Sequence, residues 1–196
     1  MGALLIDDMT GSSTYAGLGQ SLFVGGSALA AVPAVAITER FGRRGGLAFG
    51  YGCAVLGVAV VILAIHLEAA PLAVGGYFLL GSASFAGLQS RYAAADLAPP
   101  DKRGSHLALI VWATTIGSVT GPSLAAFAER VWQGWFGGPD YVGSMAAIGV
   151  LCLATGVLLA TLLRPDPLLL SRRLSGEARA PRRSVADGWR TARANR

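Results

Sequence analysis

The chain has 196 residues, of which 53% are hydrophobic and only 14% charged, with 27 glycines and a formal net charge of +5. So few charges cannot coat a water-soluble core of that apolar content, which excludes an ordinary globular domain. The positive balance would suit a nucleic-acid binder, but the basic residues lack interleaved aromatics and lie in short connections and a tail, so no nucleic-acid partner is expected.

Residues 1–15 form a short leader: apolar Gly2 to Ile6, then Asp7 and Asp8, then a polar run to Thr14. It lacks the basic start and apolar length of a secretory signal. Five apolar runs follow, at about 16–37, 46–65, 71–88, 106–127 and 141–163. Each is near the roughly 20 residues a helix needs to cross about 30 Å of hydrocarbon. The expected fold class is therefore all-α and integral to the membrane, a multispan helical bundle over 16–163. The connection 129–140 holds Trp132, Trp135 and Phe136, residue types that settle at the membrane interface. Residues 164–196 are a basic tail with Pro165, Pro167 and Pro181. It is either a disordered linker or a short basic helix on anionic headgroups.

Threading the five runs alternately places Arg40, Arg43, Arg44, Arg91, Lys102, Arg103 and the tail arginines on one face, and leaves Arg130 alone on the other. Basic residues in short loops are retained inside during insertion, so the basic face is expected to be cytoplasmic. The N-terminus of the chain as it stands is then outside and the C-terminus inside, in the cell (plasma or inner) membrane. Cys53 and Cys152 both fall within apolar runs and read as packing residues.

Three segments carry more than topology. In Glu39-Arg40-Phe41-Gly42-Arg43-Arg44, a carboxylate sits at a helix C-terminal end, where the dipole disfavours it, and needs compensation from nearby arginines or another helix end. Gly42 permits the turn, and the alternative is a basic turn that only marks topology. In Gln89-Ser90-Arg91-Tyr92-Ala93-Ala94-Ala95-Asp96, Arg91 either snorkels to water or pairs with Asp96 or Glu39. Gly117-x-x-x-Gly121-Pro122 offers a flat packing face, and the proline removes one backbone hydrogen bond, so a bend is expected there. A plain helix contact without a transport role is the alternative.

The first segment resembles the major facilitator superfamily signature G-x-x-x-D-R-x-G-R-R, found between that family's second and third helices. Here Glu39 stands at the aspartate position and Val35 at the leading glycine. The third segment is similar to the fifth-helix motif of the family's proton-coupled antiporters, with Ala125 and Ala126 in place of its final glycine pair. By order and spacing, Asp96 matches the acidic residue that helps lock the family's inner loop. The resemblance covers roughly residues 1–175. It implies that the five spans are helices two to six of an N-terminal six-helix half, that the leader is a remnant of helix one, and that the tail is the central linker. It further implies an inner latch of Glu39, Arg40, Gly42, Arg43, Arg44, Arg91 and Asp96.

The sequence shows no Gly-rich phosphate loop, metal-ligand cluster or nucleophile–base pair, and His66 and His106 fall at opposite faces. No catalytic residue, cofactor or metal is called for, and the chain does not read as an enzyme. The deep parts of the spans carry no ionisable side chain, which leaves Asp8, and after it Asp7, as candidates for proton coupling. A solvated outer loop with two acids is the alternative. The expected function is secondary transport of the family's type: export of a small organic solute or drug by proton antiport. The expected partners are the lipid bilayer, the substrate, protons, and a second six-helix half in the same longer chain or a partner subunit. A non-transporting scaffold or inert truncated product is the rival from another class.

Overall fold

A computed structural model describes residues 2–11, 13–96, 99, 101–164, 166 and 168–170. The described residues form helices and connections, with no strand among them. The helices are α1 (Gly2–Thr10), α2 (Ser13–His66), α3 (Ala70–Leu80), α4 (Ser82–Asp96), α5 (Arg103–Phe136) and α6 (Val142–Leu162). Among the described residues, four stretches are long and apolar enough to cross a membrane: Gly19–His66, Ala70–Arg91, Arg103–Phe136 and Val142–Leu162. The molecule is an all-helical membrane bundle.

The first of these stretches is not one rod. Gly42 has φ 84° and ψ −179°, which breaks α2 into arms 13–41 and 43–66. Gly46 lies against Ala34 and Thr38, so the chain doubles back there. The expected connection at 38–45 thus shrinks to a single non-helical residue. In contrast, α3 and α4 are nearly continuous, because Gly81 between them keeps helical angles (φ −54°, ψ −26°). Helices elsewhere also run past the apolar segments: α5 continues through the expected connection at 129–140 as far as Phe136. A helix satisfies its own amides, so carrying it into the headgroup layer costs less than releasing those groups near hydrocarbon.

The core forms where the second arm of α2 meets α3 and α6. Ala54, Val58, Val61 and Ala64 pack with Ala73, Tyr77 and Leu80, and with Met145 and Cys152. Leu5 and Ile6 of α1, both essentially fully buried, plug this core at the end away from Gly42. In lipid the surroundings are as apolar as the core, so association depends on close packing rather than on removal of water. Gly57 and Gly76 show how close. A Cβ on Gly57 would come within 2.6 Å of the Leu80 amide nitrogen and 2.7 Å of the Gly76 carbonyl oxygen. Nearby, the buried Ser82 hydroxyl at the start of α4 donates to the Gly50 carbonyl of α2 at 2.8 Å.

Helix α5 stands apart. It packs on α6 and, less, on α4, yet none of its residues is buried. Its hydroxyls are satisfied within the helix: Thr114, Thr115, Ser118 and Thr120 each donate to the carbonyl one turn back. That pairing lets a polar stretch stay helical without a neighbour.

The Gly57 contact yields a direct test. Gly57→Ala pushes a methyl group into the backbone of α3 and is expected to cost about 2–3 kcal/mol. Gly75→Ala, where a Cβ meets nothing within 4 Å, is expected to change stability by less than about 1 kcal/mol. Thermal unfolding of the two purified full-length variants, compared with wild type, reads the difference.

Candidate functional site

At the basic end of the bundle, the corner between the arms of α2 is built around Gly42. A helix that starts abruptly leaves its first amides without partners. Here the Asp166 carboxylate takes them: Oδ1 accepts from the Arg43 amide at 3.1 Å and Oδ2 from the Arg44 amide at 2.8 Å. The same oxygen Oδ1 also accepts from the amides of Leu168 and Leu169, at 3.0 and 3.3 Å. One carboxylate therefore caps two helix starts, and its negative charge is favourable at both. A Cβ on Gly42 would overlap this carboxylate, so the residue is fixed twice, by its positive φ and by the approach of Asp166.

The side chains around the corner divide by exposure. Glu39 and Arg40 are exposed, and the Arg40 guanidinium lies over the Phe41 ring, 5.2 Å from its centroid. Arg43 is half-buried and donates from its guanidinium to Gln89 Oε1 at 3.3 Å, which joins the corner to α4. Arg91 is half-buried one half-turn further along α4. Asp96 is the last residue of α4, and its side chain lies outside the described residues. The Gln89 contact and the Asp166 cap were not assigned by sequence reasoning. A signal for the second was present: an aspartate followed by Pro167 and an apolar run is a helix-start pattern.

The second expected feature lies on the uncovered helix. Pro122 sits inside α5 with no residue of non-helical geometry around it, and a Cβ on Gly117 or Gly121 would meet nothing within 4 Å. The flat face is thus present and uncovered by the described residues. Among small polar groups of the first four helices, the Ser82 hydroxyl donates to carbonyls of Gly50 and Leu79, whereas Gln20 and Ser84 are exposed.

At the opposite end, α1 brings Asp8 to the corner between α5 and α6. The Tyr141 hydroxyl donates to Asp8 Oδ2. Tyr141 is itself held through its amide, which donates to Glu129 Oε1 at 2.8 Å, while the Ser144 amide donates to Glu129 Oε2 at 2.8 Å. Glu129 thus caps the start of α6 as Asp166 caps the second arm of α2. The hydrogen bond to Asp8, followed by burial and by the charges of Asp8, Asp140 and Glu129, pushes the Tyr141 pKa up to about 12. A cavity of about 310 Å³ opens beside this contact, lined by Leu5, Asp8, Met9, Ile65, Glu68, Pro139, Asp140 and Tyr141. Asp7 is half-buried on the same helix.

The double role of Gly42 predicts non-additivity. Gly42→Ala places a side chain in backbone territory that is nearly glycine-only, at roughly 1–3 kcal/mol, and adds the clash with Asp166. Asp166→Ala takes the acceptor from four amides, those of Arg43, Arg44, Leu168 and Leu169, and is expected to cost at least about 2 kcal/mol. The double variant is expected to lose about 1 kcal/mol less than the sum, because the clash is gone. Thermal unfolding of the four full-length proteins closes the cycle.

The chain matches the family model of the Major Facilitator Superfamily over residues 1–196. Two Bacillus subtilis (strain 168) proteins are similar to it. The uncharacterized MFS-type transporter YddS is 37% identical over 175 residues, which is 87% of this chain and 39% of that protein. The uncharacterized MFS-type transporter YdeG is 33% identical over 185 residues, 92% of this chain and 42% of that protein. The chain thus spans about two fifths of the length of these relatives, and no solved structure matches it. With its helical bundle, its basic corner at Gly42 and these matches, the chain belongs to the Major Facilitator Superfamily.

Proposed function

We propose that this chain is the N-terminal half of a secondary transporter that exports a small organic solute in exchange for protons. The observation that carries the reading is the Gly42 corner. Two helix arms are joined by one residue, and their junction is tied to the segment after α6 by Asp166 and to α4 by Arg43 and Gln89. A junction of this kind couples three elements at one membrane face, as a transporter that rocks its helices as units requires. The uncovered α5, with Gly117, Gly121 and Pro122 on it, supports a second half as its neighbour. That half is expected in the same longer chain or as a partner subunit, consistent with the two-fifths span of the relatives.

On this reading the basic end faces the cytoplasm of a cell membrane, because the arginines and lysine of the inner connections are retained there. Glu39, Arg40, Arg43, Arg44, Arg91 and Asp96 then serve the inner latch, with Asp166 as a further member. Asp8 is the proton-coupling residue, with Asp7 as its understudy: it is the carboxylate that α1 carries to the opposite end of the bundle. A scaffold role remains the rival, and transport by the intact polypeptide separates the two.

The test uses the full-length protein in inverted vesicles with an imposed proton gradient. Wild type is expected to take up substrate from a panel of small organic compounds, and Asp8→Asn to lose proton-driven uptake at least ten-fold while keeping substrate exchange without a gradient. Equal proton-driven uptake by Asp8→Asn would remove Asp8 from coupling. No uptake of any compound by wild type would favour the scaffold.

A further inference from the structure

We infer that Asp8, Tyr141 and Glu129 form a clasp at the outer end of the bundle, which holds α1 against the α5–α6 corner and must release for the cavity beside them to widen. The consequence for alternating access rests on the transporter reading above, whereas the clasp itself does not.

Three independent features point to it. The first is connectivity: Glu129 comes from α5, Tyr141 precedes α6 and Asp8 belongs to α1, so one chain of hydrogen bonds crosses three elements. The α5–α6 part of that chain is rigid. Glu129 accepts from two amides at the start of α6, and a Cβ on Gly143 would come within 2.8 Å of the Ala128 carbonyl oxygen. Gln133 braces the same corner from within α5, donating to Glu129 at 3.3 Å and to Asp140 at 2.9 Å. The Tyr141–Asp8 contact is the one link of this chain that crosses to α1.

The second feature is backbone strain. Among the described residues, two that are not glycine have positive φ: Tyr141 at 70° and Glu68 at 50°. An aromatic residue there is strained and persists only when its surroundings impose it. Both residues line the same cavity. The strain at Tyr141 is matched to its hydroxyl contact, since Glu129 fixes the Tyr141 amide on one side and Asp8 receives the hydroxyl on the other.

The third feature is the surface beneath the clasp. Leu5 and Ile6, the buried anchors of α1, sit on the core directly below Asp8, while Met9 lines the cavity beside it. The ~310 Å³ space is already partly open and Met9 is half-buried, so movement of α1 away from Tyr141 would widen the space and bare more of Met9. Asp8, Glu68 and Asp140, all exposed, line this space, so it is reached from water.

Labelling from outside the cell tests the clasp in the full-length protein. The free cysteines Cys53 and Cys152 are replaced by alanine, and Met9→Cys serves as the reporter for a membrane-impermeant maleimide. Tyr141→Phe keeps the ring and removes the hydroxyl, and is expected to raise the labelling rate at least three-fold. Asp8→Ala is expected to do the same, and the double variant to label no faster than the quicker single one. Labelling of both single variants at the wild-type rate would overturn the clasp, and so would additive increases in the double variant. Should Tyr141→Phe fail to insert, Asp8→Ala alone decides. The assay needs no substrate: flat labelling overturns the clasp and leaves the transporter reading standing, whereas absence of transport in wild type overturns that reading and leaves the clasp.

Discussion

A sharp turn between two membrane helices strands the amides that begin the second helix, and in this protein the Asp166 carboxylate supplies their acceptors. Its two oxygens take the Arg43 and Arg44 amides at 3.1 and 2.8 Å, across more than a hundred residues of sequence. The cap explains why the corner can be a single residue. Gly42 provides the backbone geometry, and the absence of a side chain lets the carboxylate close on the amides. Without an acceptor of this kind, two amides near the edge of the hydrocarbon would need water or a longer loop.

The same solution recurs at the other end with different parts. Glu129, on the last turns of α5, accepts from the Tyr141 and Ser144 amides at the start of α6. In both places an acid from one element completes the helix start of another, so each cap is also a tie between elements. These ties matter more here than in a water-soluble fold, because apolar contact in lipid gives little preference for one helix neighbour over another. Close backbone packing supplies the rest, through pairs such as Gly57 and Gly76, and it leaves α5 without cover.

Function follows from how these ties are distributed. The basic corner binds the arms of α2, α4 and the segment after α6 into one unit, while Tyr141 reaches across to α1 at the far end. The large uncovered face of α5 marks where the described bundle is open to a neighbour, and its internally bonded hydroxyls keep it helical meanwhile.

The membrane class, the apolar segments, the turn at Gly42 and, as an expectation, the sidedness of the basic residues could be read from the amino-acid order alone. Each depends on residues close together in the chain: length of an apolar run, a count of arginines, a glycine between two helices. The resemblance to the major facilitator family was legible for the same reason, since its motifs are contiguous. Which acid meets which helix start emerges once the helices are packed. Asp166 lies in a proline-flanked stretch that reads as linker, and Glu129 in a stretch that reads as an outer connection, so neither shows its partner locally. Tyr141 gave no hint of a left-handed backbone, because nothing in its neighbours demands one; the Glu129 carboxylate and the Asp8 acceptor impose it from α5 and α1. Amides at helix ends are satisfied by whatever the fold brings near, and that is a property of the assembled bundle rather than of any segment within it.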